Sequence, residues 1–441
     1  MACFFMVGSN FCYDNPGPLQ TQLEEKFQMD SAHFSLLYTV YSIPNMILPL
    51  LGGILLDTIG VRLGLIFFCA VLTLGQFVFM LGGFATSYDE MIAGRVIFGM
   101  GGESMQVAQS AVISVWFKGK ELAFALGLNL SVARLGSVIN GVVVPSVYDQ
   151  AGLGTALMVG FGICLFSLAN ACGMAWLDRR AEKKNEERSG ADGAQAEEEE
   201  GFKFEDLYSF NSSFWLLTGS CVLTYMSVFP YIQNASDLLQ KKYHFDKVKA
   251  GYLFGVPYII SAIASPFLGY GIDKFGKRAV LICASSVILI TGFTASMLMP
   301  ECDQCYNEVY VLVLTGIGYS IYASAIWGSV PYVVAPRAVG TAFGLATSVQ
   351  NIGLCTAPTI VGFIKDRTAH KDHGYFYVNA FFILINVIGL ILNVNLWYID
   401  RTYNNSVLDR VDAGSQAASE GDHQSSTMSD GPMETGSVRS R

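Results

Sequence analysis

The sequence predicts an all-α polytopic protein that crosses a membrane many times. Hydrophobic residues make up 52% of the 441-residue chain and charged residues only 14%, whereas soluble domains carry roughly 25% charged residues. Apolar runs of about 20 residues recur, each long enough to span the hydrocarbon core, and lipid accepts such runs only as helices. The lipid bilayer is therefore one expected partner. The net charge of −9 comes largely from two polar segments and gives no indication of nucleic-acid binding.

Eleven apolar spans can be placed along the chain. They cover residues 32–56, 63–83, 90–112, 123–145, 154–177, 212–233, 250–272, 279–299, 308–334, 339–364 and 376–399. Residues 1–12 (MACFFMVGSNFC) are apolar but too short to cross alone, so we interpret them as the end of a twelfth, truncated helix. This count predicts a six-helix bundle in residues 1–177, a charged linker in 178–210, a second six-helix bundle in 211–400 and a disordered tail in 401–441.

The distribution of lysine and arginine among the loops predicts the orientation. The loops after the even-numbered helices carry more of them than the loops on the other side, which favours a cytosolic location for both termini. A cluster in residues 241–249 weakens this assignment without reversing it. On the opposite, non-cytosolic side we expect a glycosylation sequon at Asn234 in a loop. Cys302 and Cys305, in another loop of that side, either form a disulfide or stay reduced, and two ligands are too few for a zinc site.

The two halves of the sequence repeat each other. Four pairs of residues are separated by 216 positions: Gly53 and Gly269, Asp57 and Asp273, Gly60 and Gly276, and Arg62 and Arg278. Three more pairs are separated by 217 positions: Gly101 and Gly318, Gly127 and Gly344, and Asp149 and Asp366. This register indicates a duplication, and parallel repeats of this kind are one of the architectures of membrane transporters.

The first four pairs form the motif G-x-x-x-D-x-x-G-x-R, once in each half. This motif is the signature of the major facilitator superfamily, which the sequence resembles along almost its whole length. The resemblance implies the major facilitator fold, with 12 transmembrane helices in two six-helix bundles. It also implies gating residues at the cytosolic face, which here are Asp57, Arg62, Asp273 and Arg278. The alternative is a tight turn with a solvated Asp–Arg pair.

Three ionisable residues fall well within the predicted spans: Arg95, Glu103 and Arg134. Each costs about 2.5–3.5 kcal/mol to insert, so each is a candidate functional residue. Gln106 shares a helix face with Glu103, and serine and glycine residues flank Arg134. The acid and the guanidinium either bind a ligand that carries an ammonium and a carboxylate, or form a structural ion pair. For Arg95 we favour helix packing.

In the second half, Ser320 stands at the position that corresponds to Glu103, and Asn351 at the position that corresponds to Arg134. The predicted charge pair is therefore confined to the first half. The wall contributed by the second half offers aromatic and amide side chains instead, which either contact a substrate or pack between helices. The candidate substrate-binding residues in addition to Glu103 and Arg134 are Gln106, Tyr41, Trp327, Gln350 and Asn351.

Longer strings point to one branch of the superfamily. FCYDNPGPLQTQ (11–22), GGESMQVAQ (101–109), WFKGKELAFALGLNLSVARLGS (116–137) and SVQNIGL (348–354) resemble a family of lysosomal dipeptide exporters. The resemblance implies a uniporter in the lysosomal membrane, with Glu103 and Arg134 holding the two ends of the dipeptide substrate. It also implies an accessory partner, a glycosylated single-span lysosomal membrane protein. The tail itself shows no sorting signal.

Two other functions remain open from the residues themselves. One is a proton-coupled carrier of another small organic solute, in which Glu103 titrates. The other is a nutrient sensor that binds its ligand without transporting it. An enzyme is not indicated, because the sequence shows no pairing of nucleophile and base, no metal-ligand cluster and no phosphate-binding loop. No cofactor is expected.

Overall fold

The computed structural model describes residues 4–49, 51–52, 60–116, 122–189, 210–334 and 339–409. Thirteen α-helices are found in these ranges. They are α1 (Phe5–Tyr13), α2 (Gln20–Phe27), α3 (Ser31–Asn45), α4 (Val61–Ala85), α5 (Tyr88–Trp116), α6 (Leu122–Ser189), α7 (Ser212–Tyr243), α8 (Lys247–Phe254), α9 (Val256–Phe275), α10 (Arg278–Leu298), α11 (Asn307–Val333), α12 (Val339–Arg367) and α13 (Tyr375–Tyr403).

Several of these helices begin at residues that cap the first turn. The Asp30 side chain accepts a hydrogen bond from the His33 amide at the start of α3, at 2.8 Å. Asn211 does the same for α7 and Asp246 for α8. Asp and Asn are favoured at such positions because their oxygens satisfy amides that have no partner within the helix. These caps explain why the apolar runs begin as helices immediately after short polar connections.

Two boundaries differ from those expected. Helix α6 covers both predicted spans 123–145 and 154–177, with one interruption at Gly152 (φ 81°), and continues to Ser189 into the segment predicted as linker. Helix α7 continues to Tyr243. The prediction of a loop with a glycosylation sequon was therefore wrong, because Asn234 lies within α7 and is 4% exposed. Cys302 and Cys305 are joined by a disulfide.

Seven helical segments of the described ranges are long and apolar enough to cross a membrane. One of them, Leu128–Arg180, is 53 residues long and contains the interruption at Gly152, so it has the length of two crossings. Large apolar side chains such as Phe84, Phe166 and Phe267 are exposed on the outside of the helices. A surface of this kind fits a protein that is surrounded by lipid.

The buried apolar side chains form two clusters, one in each half of the chain. One cluster is built from residues between Met6 and Ala171, and the other from residues between Phe214 and Leu408. We call residues 4–189 the first half and residues 210–409 the second half. The halves touch along α3 with α12 and along α6 with α8 and α9. The space between them is where the candidate site lies.

Hydrogen bonds between the halves are concentrated at the end of the molecule that holds α2, which we call the α2 end. Lys241 of the second half binds Glu24 of the first at 2.7 Å, and Thr21 binds Asp237 at 2.8 Å. Gln22 donates to Gln240 at 2.7 Å. These contacts hold the two halves together at this end.

Candidate functional site

Glycine residues of α5 bring this helix close to its neighbours. A Cβ atom at Gly99 would lie 2.3 Å from the Tyr41 carbonyl oxygen of α3, and one at Gly101 would lie 2.5 Å from the Phe68 carbonyl oxygen of α4. At Gly102 it would meet the Tyr41 hydroxyl at 2.4 Å. Small residues allow such approach of helix backbones in membranes. This packing fixes α5 and thereby sets the position of Glu103.

Glu103 lies on the less buried side of α5. Its side chain is half-buried, and the neighbouring Gln106 is exposed, while Gly102 and Ser104 are buried. Among the residues that the structure describes, Glu103 has no hydrogen bond or ion pair, although it interacts electrostatically with Arg134. The Tyr41 hydroxyl packs beside it at Gly102. Glu103 is therefore a carboxylate in the middle of a helix with no described partner. Such a carboxylate is available to bind a cation.

Arg134 reaches from α6 toward the second half. One of its terminal nitrogens donates to the Tyr319 hydroxyl of α11. Its guanidinium carbon lies 5.0 Å from the centre of the Tyr319 ring and 5.9 Å from that of Tyr258. Its Nε is buried without a hydrogen-bond partner, and Glu103 is not within ion-pair distance. The expected alternative of a direct Glu103–Arg134 ion pair is thus not formed in this conformation.

Aromatic side chains of the second half form the facing wall. Trp327 Nε1 donates to the Tyr225 hydroxyl at 2.9 Å, and the Tyr225 and Tyr319 ring centres are 5.8 Å apart. Phe229 stacks on Tyr225 at 5.3 Å. Trp327 is therefore connected to Arg134 through two tyrosines. Neither Tyr225 nor Phe229 was predicted, because aromatic residues are frequent in spans and the pattern alone does not show which of them cross between halves.

Gln350 and Asn351 are less directly placed. Gln350 is 7% exposed and its Oε1 lies 3.9 Å from the Cys221 thiol, one helical turn from Tyr225. Asn351 is fully buried, and its amide donates to the Thr347 carbonyl of its own helix at 3.0 Å. Gln350 thus borders the aromatic wall, while the described hydrogen bond of Asn351 stays within its own helix.

Arg95 has a structural environment, as its sequence position suggested. Its guanidinium donates to the carbonyl oxygens of Leu37 at 2.9 Å, Cys12 at 3.1 Å and Tyr13 at 3.0 Å. Five aromatic rings surround it within 5.7 Å. Arginine binds both carbonyl oxygens and ring faces in this way. Arg95 therefore joins α1, α3 and α5 rather than facing the space between the halves.

Asp14 is a buried acid that the sequence reasoning did not select. It follows α1 in the string FCYDNP, is 1% exposed, and accepts a hydrogen bond from the Tyr258 hydroxyl of the second half at 2.9 Å. The signal was present, since an acid directly follows an apolar helix. It was missed because that helix is short, so Asp14 was placed outside the membrane interior.

Of the predicted gating residues, Arg62 and Arg278 lie at the opposite end of the molecule from α2. Arg62 binds Asp178 of its own half. Arg278 donates to the Tyr332 hydroxyl at 3.0 Å, and its guanidinium carbon lies 4.1 Å from the centre of that ring. Asp57 and the side chain of Asp273 fall outside the described residues. The gating role of all four residues stays a prediction.

The sequence was also compared with known protein families. The family model of the Major Facilitator Superfamily matches residues 2–358. The chain belongs to the Major Facilitator Superfamily. Two solved structures share its fold. One is a mutant of the nucleoside transporter NupG, with a TM-score of 0.67 and 13% identity, and the match covers 90% of this chain and 99% of that one. The other, from a study of substrate recognition in proton-dependent oligopeptide transporters, has a TM-score of 0.65 and 12% identity and covers 90% and 97%.

Curated relatives within the superfamily are more similar in sequence. The human lysosomal dipeptide transporter MFSD1 is 36% identical over 419 residues, which cover 92% of this chain and 86% of the human protein. The zebrafish (Danio rerio) protein of the same name is 38% identical over 409 residues, which cover 90% and 85%. These relatives and the superfamily membership make the chain a membrane transporter rather than an enzyme.

Proposed function

We propose that this transporter is a uniporter that moves dipeptides from the lysosome to the cytosol. The observation that supports this most directly is the pair of opposite charges that do not neutralise each other. Glu103 has no described hydrogen-bond or ion-pair partner, and Arg134 has a buried Nε without one. A zwitterion with its ammonium on Glu103 and its carboxylate on Arg134 satisfies both groups. The names of the curated relatives support the same substrate class and compartment.

Each charged residue has a neighbour suited to this arrangement. The Tyr41 hydroxyl and the exposed Gln106 adjoin Glu103, so their oxygens can accept hydrogen bonds from an ammonium. Arginine binds carboxylates in a planar, two-point manner, and the free Nε of Arg134 leaves one such edge open. The aromatic wall with Trp327 and Tyr225 offers flat surfaces that can contact varied peptide side chains without requiring one charge.

The contacts at the α2 end support alternating access. They include charged groups from both halves, but the buried Asp237 of the second half is also paired within its own half. Asp237 binds Lys365 at 2.8 Å and the Tyr375 hydroxyl at 2.6 Å, both within the second half. Buried charges that lose their partners are costly. When the halves separate at this end, the Asp237 carboxylate therefore keeps its partners within the second half. This end can thus open and close.

The orientation, compartment and accessory partner are parts of the same proposal. The lysine and arginine distribution favours cytosolic termini, which makes the α2 end the lumenal end. A glycosylated single-span partner would then contact that face. The division into residues 1–177, 178–210, 211–400 and 401–441 also stays a proposal, since residues 190–209 and 410–441 fall outside the described ranges.

Uptake of a labelled dipeptide into proteoliposomes tests the site. Removing one member of a buried charged contact costs about 2–5 kcal/mol, so we expect Glu103→Gln and Arg134→Ala to lower uptake at least about 30-fold. Glu90→Gln and Arg180→Ala make the same changes at exposed positions of the same two helices and should leave uptake unchanged. Normal uptake by either site variant would overturn the assignment.

Two further arms of this experiment separate the alternatives. An imposed proton gradient should not concentrate the peptide inside the vesicles, because a uniporter only equilibrates its substrate. Concentrative uptake would instead indicate the proton-coupled carrier. Dipeptide binding measured by thermal stabilisation, with no flux in the same preparation, would indicate the nutrient sensor.

A further inference from the structure

The inference concerns the buried carboxylate of Asp14, which the proposed function leaves unused. Asp14 is 1% exposed, and the structure gives it no ion pair with any residue in the described ranges. Its described hydrogen-bond donor is the Tyr258 hydroxyl, at 2.9 Å. A buried carboxylate held only by neutral donors is costly unless a positive charge lies near it. The neighbouring positive charges therefore decide what Asp14 does.

Two guanidinium groups are close to Asp14. Arg95 donates to the carbonyl oxygens of Cys12 and Tyr13, directly before Asp14. Its described hydrogen bonds go to backbone carbonyls rather than to Asp14. Arg134 is different, because its guanidinium still has a nitrogen without a partner. Tyr258 contacts both residues: its hydroxyl binds Asp14, and its ring centre lies 5.9 Å from the Arg134 guanidinium carbon.

Tyr258 therefore lies beside both Asp14 and Arg134, and the two charges interact electrostatically. The Tyr258 and Asp14 side chains are each 1% exposed, so solvent screens their surroundings less than it screens the surface of the protein. In a protein interior, the electrostatic interaction between two charges several ångströms apart is large enough to change a dissociation constant measurably. A substrate carboxylate that approaches Arg134 is attracted by the guanidinium and repelled by Asp14 at the same time.

We infer that Asp14 is a positioning residue of the transport site, held by Tyr258, whose negative charge limits how tightly Arg134 binds the carboxylate of the substrate. This inference rests on the proposed role of Arg134. A transporter must release what it binds, and binding that is too tight slows the passage of the substrate. Asp14 supplies that limit without touching the substrate.

The test compares two ligands on the purified full-length protein. One is a dipeptide with a free carboxylate, and the other is the same dipeptide with a C-terminal amide. The measured quantity is the ratio of the dissociation constant of the amide to that of the acid, obtained by titration calorimetry at constant pH. A change in overall stability or conformation affects both ligands alike, whereas a change in charge beside Arg134 affects the ratio.

We expect Asp14→Asn to raise this ratio by roughly three- to tenfold, because the acid is no longer repelled. Asparagine still offers an acceptor to Tyr258, so the fold should be kept. Asp14→Ala lacks that acceptor and should raise the ratio by the same factor, because the charge and not the hydrogen bond is responsible. The matched control Asp30→Asn removes an exposed charge at the α2 end and keeps a capping residue, so the ratio should not change.

Three results would overturn the inference. A wild-type ratio above one that neither Asp14 variant changes would show that Asp14 does not act on the carboxylate. A rise in Asp14→Ala alone would assign the effect to the hydrogen bond. A wild-type protein that binds acid and amide equally would instead overturn the proposed role of Arg134, and this inference with it.

Discussion

At the α2 end, two repeat-related acids make corresponding contacts between the halves. Asp366 of the second half accepts hydrogen bonds from the Ser31 and Ala32 amides at the start of α3, at 3.0 and 2.9 Å. Asp149 of the first half pairs with Lys247 at the start of α8. The two acids are 217 positions apart, and Ser31 and Lys247 are 216 apart. The duplicated chain thus uses the same positions twice to close this end.

At the candidate site, repeat-related positions behave differently. Arg134 of the first half donates to Tyr319 of the second half, and Glu103 has no described hydrogen-bond or ion-pair partner. Their counterparts bond within their own helices, Ser320 to the Gly316 carbonyl at 2.6 Å and Asn351 to the Thr347 carbonyl at 3.0 Å. A gate can be symmetric because both halves must part. A site that binds a molecule with two different ends cannot be symmetric. The different residues at these repeat-related positions make the site asymmetric, so it can distinguish the two ends.

The largest expected effect compares the glycines Gly101 and Gly318, which also correspond in the repeat. A Cβ at Gly101 would lie 2.5 Å from the Phe68 carbonyl oxygen, a backbone atom. At Gly318 the nearest atoms, at 3.0 Å, belong to the Leu289 side chain. Overpacking costs about 1–3 kcal/mol, while alanine gains about 1 kcal/mol over glycine in a helix. We expect Gly101→Ala to lower the melting temperature by several degrees and Gly318→Ala to change it little.

Melting in detergent, followed by intrinsic fluorescence, measures this difference. Gly162→Ala serves as the control, because a Cβ there meets nothing within 4 Å, and it should be neutral or slightly stabilising. Equal losses for Gly101→Ala and Gly318→Ala would mean that the two halves pack with the same tolerance, contrary to the comparison.

A smaller effect should separate the two acids of the α2 end. Asp366 is itself exposed but binds two backbone amides, and hydrogen bonds to charged groups contribute about 1.5–3 kcal/mol, with the lower end expected at an exposed site. The Asp149–Lys247 pair is 51% and 28% exposed, and exposed pairs contribute about 0–1 kcal/mol. We therefore expect Asp366→Ala to favour the conformation that is open at this end more strongly than Asp149→Ala does.

Cysteine cross-linking reports this conformational change. Gln22 and Gln240 lie in different halves and their side chains bond at 2.7 Å, so a short bifunctional maleimide should form a cross-link in the double variant Gln22→Cys, Gln240→Cys when the end is closed. Asp366→Ala should slow its formation about tenfold and Asp149→Ala no more than about threefold. Asp89→Ala, at an exposed acid on α5, is the control. Equal slowing by both acids would contradict the asymmetry of the two contacts.

The sequence predicted the spans and the two charges for the same physical reason. A carboxylate or a guanidinium within an apolar run has a high cost, so its presence is visible without any structure. The sequence could not show that Glu103 and Arg134 stay apart, because their distance depends on how α5 and α6 pack. Asp14 escaped notice because the apolar run before it is short, and Tyr258 because nothing in the pattern distinguishes a tyrosine that crosses between halves.

The error at Asn234 has a related cause. Lys241 and Lys242 follow it closely, and two lysines after an apolar run usually indicate the end of a membrane helix. In the structure both lysines lie in the last turn of α7, where Lys241 binds Glu24 at 2.7 Å and Lys242 binds Asp372 at 2.5 Å, so α7 runs through Asn234 as far as these paired charges. Such partners come from distant parts of the chain, and a reading of local composition does not reveal them.

The smallest expected effect concerns the aromatic wall of the second half. Trp327→Phe keeps an aromatic ring against Phe343, whose ring centre is 6.1 Å away, but removes the donor to the Tyr225 hydroxyl. A neutral hydrogen bond contributes about 0.5–1.5 kcal/mol, so we expect the dissociation constant for a dipeptide to rise roughly two- to threefold, measured by the same calorimetry. Trp215→Phe, at an exposed position of α7, is the matched control. A loss of affinity as large as that caused by Arg134→Ala would mean that the aromatic wall of the second half contributes as much to binding as the charges of the first. The two halves would then differ in the chemistry of their side chains but not in their contribution to binding.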